Sequence, residues 1–165
     1  MQEFEVISQS EATDYETVYE TERGKPMPSK NHSTLEVRIS SALESNYGDQ
    51  FDVHAELSLQ LSTGKAVPDI CLYPVSQVDW LQDKKTMTEP PLMALEILSP
   101  RQGMEDITDK IDLYFGAGVK TYWVVIPTFK IINILTPDRK YVTFTGGIAK
   151  DPVLGIELDM ERVFR

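Results

Sequence analysis

Two acidic residues stand inside runs that are otherwise apolar. Asp69 lies in Val67-Pro68-Asp69-Ile70-Cys71-Leu72-Tyr73, and Glu96 in Leu92-Met93-Ala94-Leu95-Glu96-Ile97-Leu98. Short apolar runs bounded by proline, glycine and polar clusters read as buried strands, whose side chains alternate between two faces. Asp69 then shares a face with Cys71 and Tyr73, and Glu96 with Ala94 and Leu98. An ionised carboxylate taken out of water loses several kcal/mol of solvation unless a cation, a metal or hydrogen-bond donors compensate. A lone carboxylate in a strand is ordinarily solvated at the strand end or paired with a lysine. Two of them, followed by a helix that carries a lysine, ask for a common explanation.

That helix spans 104–117 by its periodicity, with Ile107, Ile111, Tyr114 and Phe115 on one face and Gly116 and Gly118 near its end. Lys110 lies at the edge of the apolar stripe, one turn beyond Asp106. An exposed Asp106 to Lys110 pair at i,i+4 would add only about 0.2–0.5 kcal/mol, a weak reason for the lysine to be there. The alternative is a metal site with a lysine beside it.

The ordered set Pro68-Asp69, Glu96-Ile97-Leu98-Ser99-Pro100, Asp106-x-x-x-Lys110-x-x-x-Tyr114, Ala117-Gly118-Val119 and Tyr122-Trp123 resembles a small restriction-endonuclease family within the PD-(D/E)XK nuclease superfamily. The usual superfamily arrangement brings Asp, Glu and Lys from adjacent strands as PD and (D/E)-x-K. This chain departs from it at Leu98, two residues after Glu96, where the lysine would stand. In the resembled family the lysine comes from the following helix, and Lys110 occupies the matching position. Pro-Asp alone recurs by chance, so the resemblance rests on the order of the whole set.

The resemblance extends to Tyr19-Glu20-x-x-x-Gly24, similar to an N-terminal signature of the family, and implies that Glu20 reaches the same metal site as an auxiliary group. On its own, Glu20 among Glu16 and Glu22 reads equally well as a solvated acid. His32 matches a family position too, although a histidine at a helix start is more often a capping or packing residue. His32 and Asp106 are therefore secondary candidates.

At 165 residues the chain fits one domain with a real hydrophobic core. No run approaches the roughly 18 apolar residues of a membrane span, and Met1-Gln2-Glu3-Phe4-Glu5 lacks a basic-then-apolar signal pattern. The expectation is a soluble, cytoplasmic protein. Its single cysteine, Cys71, excludes an intramolecular disulfide and a thiolate zinc site, and His32 and His54 are too far apart in sequence to form a paired zinc motif. The net charge of -10 opposes nucleic-acid binding, which rests on Lys and Arg neutralising phosphates. A local basic cleft or bound divalent ions would reverse that sign where it matters.

Along the chain, residues 1–14 are polar and acidic with weak periodicity, and an ordered role for them is not expected. Residues 15–24 read as a strand by their Thr, Val and Tyr content, and 25–29 as a proline-stiffened linker. An amphipathic helix over 31–46 carries Leu35, Ile39, Ala42 and Leu43, with Asn31 or Ser33 as cap. Alternation over 51–61 predicts one half-buried strand, and residues 74–91 a surface loop with Lys84 and Lys85. The apolar run 121–126 predicts a strand parallel to that of Glu96, because a helix connects them. A hairpin over 131–144, a loop at Gly146-Gly147, then a closing strand and short helix complete the chain.

These elements predict a single-domain α/β protein, residues 1–165, with the restriction-endonuclease-like mixed β-sheet flanked by helices and an additional C-terminal hairpin. The resemblance implies a metal-dependent DNA endonuclease. Asp69, Glu96 and the Ile97 backbone carbonyl would hold Mg²⁺, with Mn²⁺ able to substitute, because two carboxylates and a carbonyl suit a hard ion that keeps several waters. Lys110 would orient or deprotonate the attacking water, or offset charge at the phosphate; an ordinary lysine pKa near 10.4 favours the electrostatic role. A homodimer would let two sites address two strands. Two other classes stay open: a catalytically silent nucleic-acid or protein interaction domain on the same scaffold, and an enzyme acting on another phosphate ester.

Overall fold

A computed structural model describes residues 18, 20, 21 and 24–165. Its elements in chain order are α1 (Lys30–Tyr47), β1 (Phe51–Ala55), β2 (Leu59–Leu61), β3 (Gly64–Ala66), β4 (Ile70–Pro74), β5 (Met93–Ile97), α2 (Met104–Ala117), β6 (Thr121–Ile126), β7 (Ile131–Leu135), β8 (Tyr141–Phe144), β9 (Ile148–Lys150), β10 (Glu157–Asp159) and α3 (Met160–Val163), with a 3₁₀ turn at Pro127–Phe129.

Six strands form the central sheet in the order β1-β4-β5-β6-β7-β8. Every neighbouring pair is antiparallel except β5 and β6, which run parallel with Glu96 opposite Val124. A parallel pair needs a long crossover, and α2 supplies it. The sheet is therefore mixed and flanked by helices, the restriction-endonuclease-like architecture expected from the sequence.

Period 2 divides the strands between two cores. Ile70, Leu72, Met93, Leu95, Ile97, Trp123 and Val125 face α1, whose Leu35, Ile39 and Leu43 meet them, and the C-terminal β9–β10 hairpin and α3 close the rest of that face. Cys71, Tyr73, Ala94, Tyr122 and Val124 face the other way, onto Ile107 and Tyr114 of α2 and onto Leu59 and Leu61 of β2. Glu96 has the parity of Ala94, so its carboxylate points toward α2. Burial pushes the Cys71 thiol up to about 12, which fits a packing residue.

Ser29 caps α1, its Oγ accepting from the His32 amide at 3.2 Å, in place of the expected Asn31 or Ser33. Glu105 and Asp106 occupy the first turn of α2, where acids complement the helix dipole. At its C-terminus Gly118 adopts a left-handed φ of 106°, and its amide reaches back to Tyr114 and Phe115, a turn that glycine makes without strain.

Two expectations are corrected. Residues 51–61 are two strands, because Glu56 takes a left-handed φ of 57° and breaks the run. Its amide closes the β1–β4 ladder on the Asp69 carbonyl at 3.0 Å, after which β2 leaves the sheet and pairs with β3. The alternation was real, but Leu59 and Leu61 use it to cover α2. In 15–24, Val18, Glu20 and Thr21 are helical, so the expected strand fails there: the Glu20 carbonyl accepts from the Gly24 amide at 2.8 Å. Residues 1–14 and Tyr19 of the N-terminal signature lie outside the described residues.

A third buried acid is structural. Asp151 is 1% exposed; one oxygen accepts from Trp123 Nε1 at 2.8 Å and the other from the amides of Val153 and Leu154, both at 2.8 Å. It fixes the loop before β10 against the centre of the sheet. Replacing Asp151 with Ala leaves those donors unpaired and should lower the unfolding free energy by about 1–3 kcal/mol, read as a lower urea midpoint with an unchanged slope.

Candidate metal and phosphate site

Asp69 lies at the foot of β4 and is 1% exposed. Four groups surround its carboxylate and backbone. Lys25 Nζ donates to Oδ1 at 2.5 Å, His32 Nε2 stands 3.0 Å from Oδ2, and the Ile97 amide donates to Oδ2 at 2.6 Å. The fourth is the Glu56 amide on the Asp69 carbonyl, already described. Burial alone would raise the Asp69 carboxyl, but the His32 hydrogen bond and the Lys25 charge outweigh it and hold Asp69 below its ordinary value.

Glu96 is equally buried. Lys110 Nζ donates to its Oε1 at 2.9 Å and Tyr114 Oη to the same oxygen at 2.8 Å. Both donors come from α2, four residues apart and so on one helical face. Its other oxygen, Oε2, is shielded from solvent and has no hydrogen-bond partner among the described residues. Burial raises Glu96; the Lys110 charge counters it, the Asp69 charge adds to it, and the balance stays upward. Burial and the Glu96 charge likewise push Tyr114 well above its ordinary value, keeping the hydroxyl a donor.

The two carboxylates meet because β4 and β5 are neighbours: the amide next after Glu96 is the one that Asp69 accepts. Beside them opens a cleft of about 440 Å³ whose lining includes Lys25, Lys65 and Lys110. A chain of net charge -10 thus sets three lysines along one opening, with the Lys25 ammonium turned inward to Asp69 and Glu56.

The sequence-predicted residues divide accordingly. Asp69, Glu96 and Lys110 come together, and His32 joins them through Asp69. Glu20 faces Arg101 at 3.8 Å, over the turn that follows β5. Asp106 is exposed in the first turn of α2, and Lys110 pairs with Glu96 instead of with it. Sequence reasoning missed Lys25, Glu56, Glu36 and Tyr114's bond to Glu96. Lys25 sits between Gly24 and Pro26, where a lysine reads as solvated; only the left-handed Gly24, at φ 67°, shows the chain turning there. Tyr114 had a signal, its i,i+4 spacing from Lys110.

The donors present suit a hard divalent ion. Asp69 and Glu96 offer carboxylate oxygens, and the buried, unpartnered Glu96 Oε2 is an acceptor that a cation would satisfy. His32, Glu36 and Asp69 also offer ligand atoms within 4.8 Å of one another. We favour the carboxylate pair, because His32 Nε2 is engaged with Asp69 directly and its Nδ1 faces Glu36 at 3.7 Å, an arrangement that orients Asp69.

The fold and this convergence define a restriction-endonuclease-like protein. Residues 1–161 match the model of the Uma2 family, described as "Putative restriction endonuclease", and the chain belongs to that family. A solved structure from Anabaena variabilis, described as "a putative nuclease belonging to DUF820", shares 22% identity, covers 84% of this chain and 83% of its own, and superposes with a TM-score of 0.73. At that identity the likeness is one of fold. Among curated proteins none matches.

The two carboxyls bear oppositely on stability. Asp69, lowered in the folded state, stabilises above its unfolded pKa, and that contribution is lost as pH falls through the folded value. Glu96, raised, contributes fully below its unfolded pKa and loses that contribution as pH rises through the folded value. Glu96→Gln cannot ionise but keeps an oxygen for Lys110 and Tyr114. In chelator it should exceed wild type in urea midpoint on the alkaline side of the raised pKa, with the gap closing on acidification through the ordinary carboxylate range.

Proposed function

We propose that the protein is a metal-dependent endonuclease that hydrolyses DNA phosphodiester bonds at the Asp69, Glu96 and Lys110 site. The observation that carries this reading is the convergence of two buried carboxylates, each bound by a lysine, on a cleft lined by Lys25, Lys65 and Lys110. The family description points to the same chemistry.

Asp69 and Glu96 would hold Mg²⁺ or Mn²⁺, with the Ile97 carbonyl as a third ligand. A residue in a strand directs its amide and carbonyl to the same neighbour, and the Ile97 amide already meets Asp69. Such an ion supplies a nucleophilic water at neutral pH and neutralises charge on the phosphate. Tyr114 and Lys110 fix the Glu96 carboxylate from α2, and His32 fixes Asp69 from α1. Lys110, about one-fifth exposed, reaches both Glu96 and the cleft, so its ammonium can stabilise charge that develops on a phosphate held there. Lys65 on β3 supplies a further phosphate contact.

A catalytically silent interaction domain is the second reading, favoured by the full set of donors already on Asp69. Among the described residues no helix is long and apolar enough to cross a membrane, and neither reading involves one.

Incubation of supercoiled plasmid and of single-stranded DNA with Mg²⁺ or Mn²⁺ tests the proposal. Wild type should nick or cut, and Asp69→Ala, Glu96→Ala and Lys110→Ala should each lose at least about 10²-fold in rate, the scale of removing one preorganised charge-stabilising group. Metal binding without cleavage would redirect the assignment to another phosphate ester, and loss of both to the silent domain.

A further inference from the structure

The Lys25 ammonium is held as a metal ion would be. Among the described residues its polar neighbours are three oxygens: Asp69 Oδ1 at 2.5 Å, Glu56 Oε2 at 2.8 Å and the Val67 carbonyl at 3.0 Å. The side chain is only 6% exposed, rare for lysine. The three oxygens are presented by backbone features that sequence pattern alone does not require. Glu56 stands at the left-handed break between β1 and β2, Val67 in the stretch between β3 and β4, and Asp69 at the foot of β4. Two carboxylates and a carbonyl are the donor set of a hard divalent cation.

A second observation points to the same ligand. Glu96 Oε2 is buried without a hydrogen-bond partner among the described residues, and the charges of both Asp69 and Lys25 act on Glu96, so this acceptor belongs to the same cluster. An ammonium, limited to three donors, leaves this acceptor unmet. A divalent ion, with more ligand positions and twice the charge, would not.

We propose that Lys25 is a tethered cation occupying the seat of a divalent ion, that this seat is formed by Asp69, Glu56 and the Val67 carbonyl, and that metal loading requires its ammonium to withdraw into the adjacent cleft. The inference rests on the cation site of the proposed nuclease and adds Glu56 to its ligands. Self-competition of this kind weakens the apparent metal affinity by the fraction of molecules in which the seat is filled. The withdrawn ammonium would join Lys65 and Lys110 where a phosphate would lie, so phosphate and metal should each favour the other's binding, reciprocally.

Two measurements with Mn²⁺ alone test this. Isothermal titration and thermal unfolding of Lys25→Met should show Mn²⁺ bound at least about tenfold more tightly than by wild type, with a larger metal-dependent rise in Tm. Glu56→Gln added to Lys25→Met should remove that gain. In wild type, acylation of lysines by acetic anhydride, followed by peptide mass spectrometry, should find Lys25 protected in chelator and reactive in millimolar Mn²⁺. Equal or weaker Mn²⁺ binding by folded Lys25→Met, or a gain that survives Glu56→Gln, overturns the proposal. Should Lys25→Met not fold, the wild-type acylation decides alone: a Lys25 that stays protected in Mn²⁺ refutes the tethered-cation role. Because these readouts follow metal occupancy, their failure leaves the nuclease reading standing, and failure of DNA cleavage leaves them intact.

Discussion

Two carboxylates held out of water are the constraint around which this fold is arranged. Neither Asp69 nor Glu96 can be ionised in the interior without compensation, and the compensation arrives from both sides of the sheet. His32 on α1 and Lys25 ahead of it serve Asp69; Lys110 and Tyr114 on α2 serve Glu96. The sheet contributes the Ile97 amide, which ties the foot of β4 to the end of β5. Removing any one partner strands a buried charge, so the geometry of the site and the packing of both helices are one problem with one solution.

The opposite directions in which the two carboxyls shift follow from this division. Asp69 has cationic and amide donors on both oxygens and stays ionised; Glu96 has both of its donors on one oxygen and resists ionisation. An asymmetric pair is a natural receiver for a divalent ion, whose charge would favour the ionised form of Glu96 and fill the position its second oxygen leaves open. The net charge of the whole chain says little about this locality. Acidic residues outnumber basic ones, 26 to 16, yet Lys25, Lys65 and Lys110 all line one cleft.

Much of the fold was legible because it depends on periodicity. The runs at 93–97 and 121–126 are buried on both faces and carry the apolar continuity that central strands require, and the intervening helix runs from Met104 to Ala117 as its stripe predicts. Asp69, Glu96 and Lys110 were legible as exceptions to that pattern. What escaped were features with no local signature. The break at Glu56 interrupts an alternation that continues on both sides of it, because β2 uses the same period against a different helix. Lys25 sits in a proline-rich stretch that reads as linker, and its burial exists only through oxygens 31, 42 and 44 positions further along the chain. Glu20 is a separate case: the motif around it points to the metal site, and in the structure its side chain faces Arg101.

Leu98 marks the place where a strand lysine would stand in the usual superfamily arrangement, and here it packs partly buried into the core beneath α2. In the proposed nuclease the ammonium comes from the helix, so Leu98, just past the end of β5, contributes packing and the reactive group belongs to a neighbouring element. Substitutions that adjust how α2 seats on the sheet can then retune the distance between Lys110 and Glu96 without disturbing the register of β5.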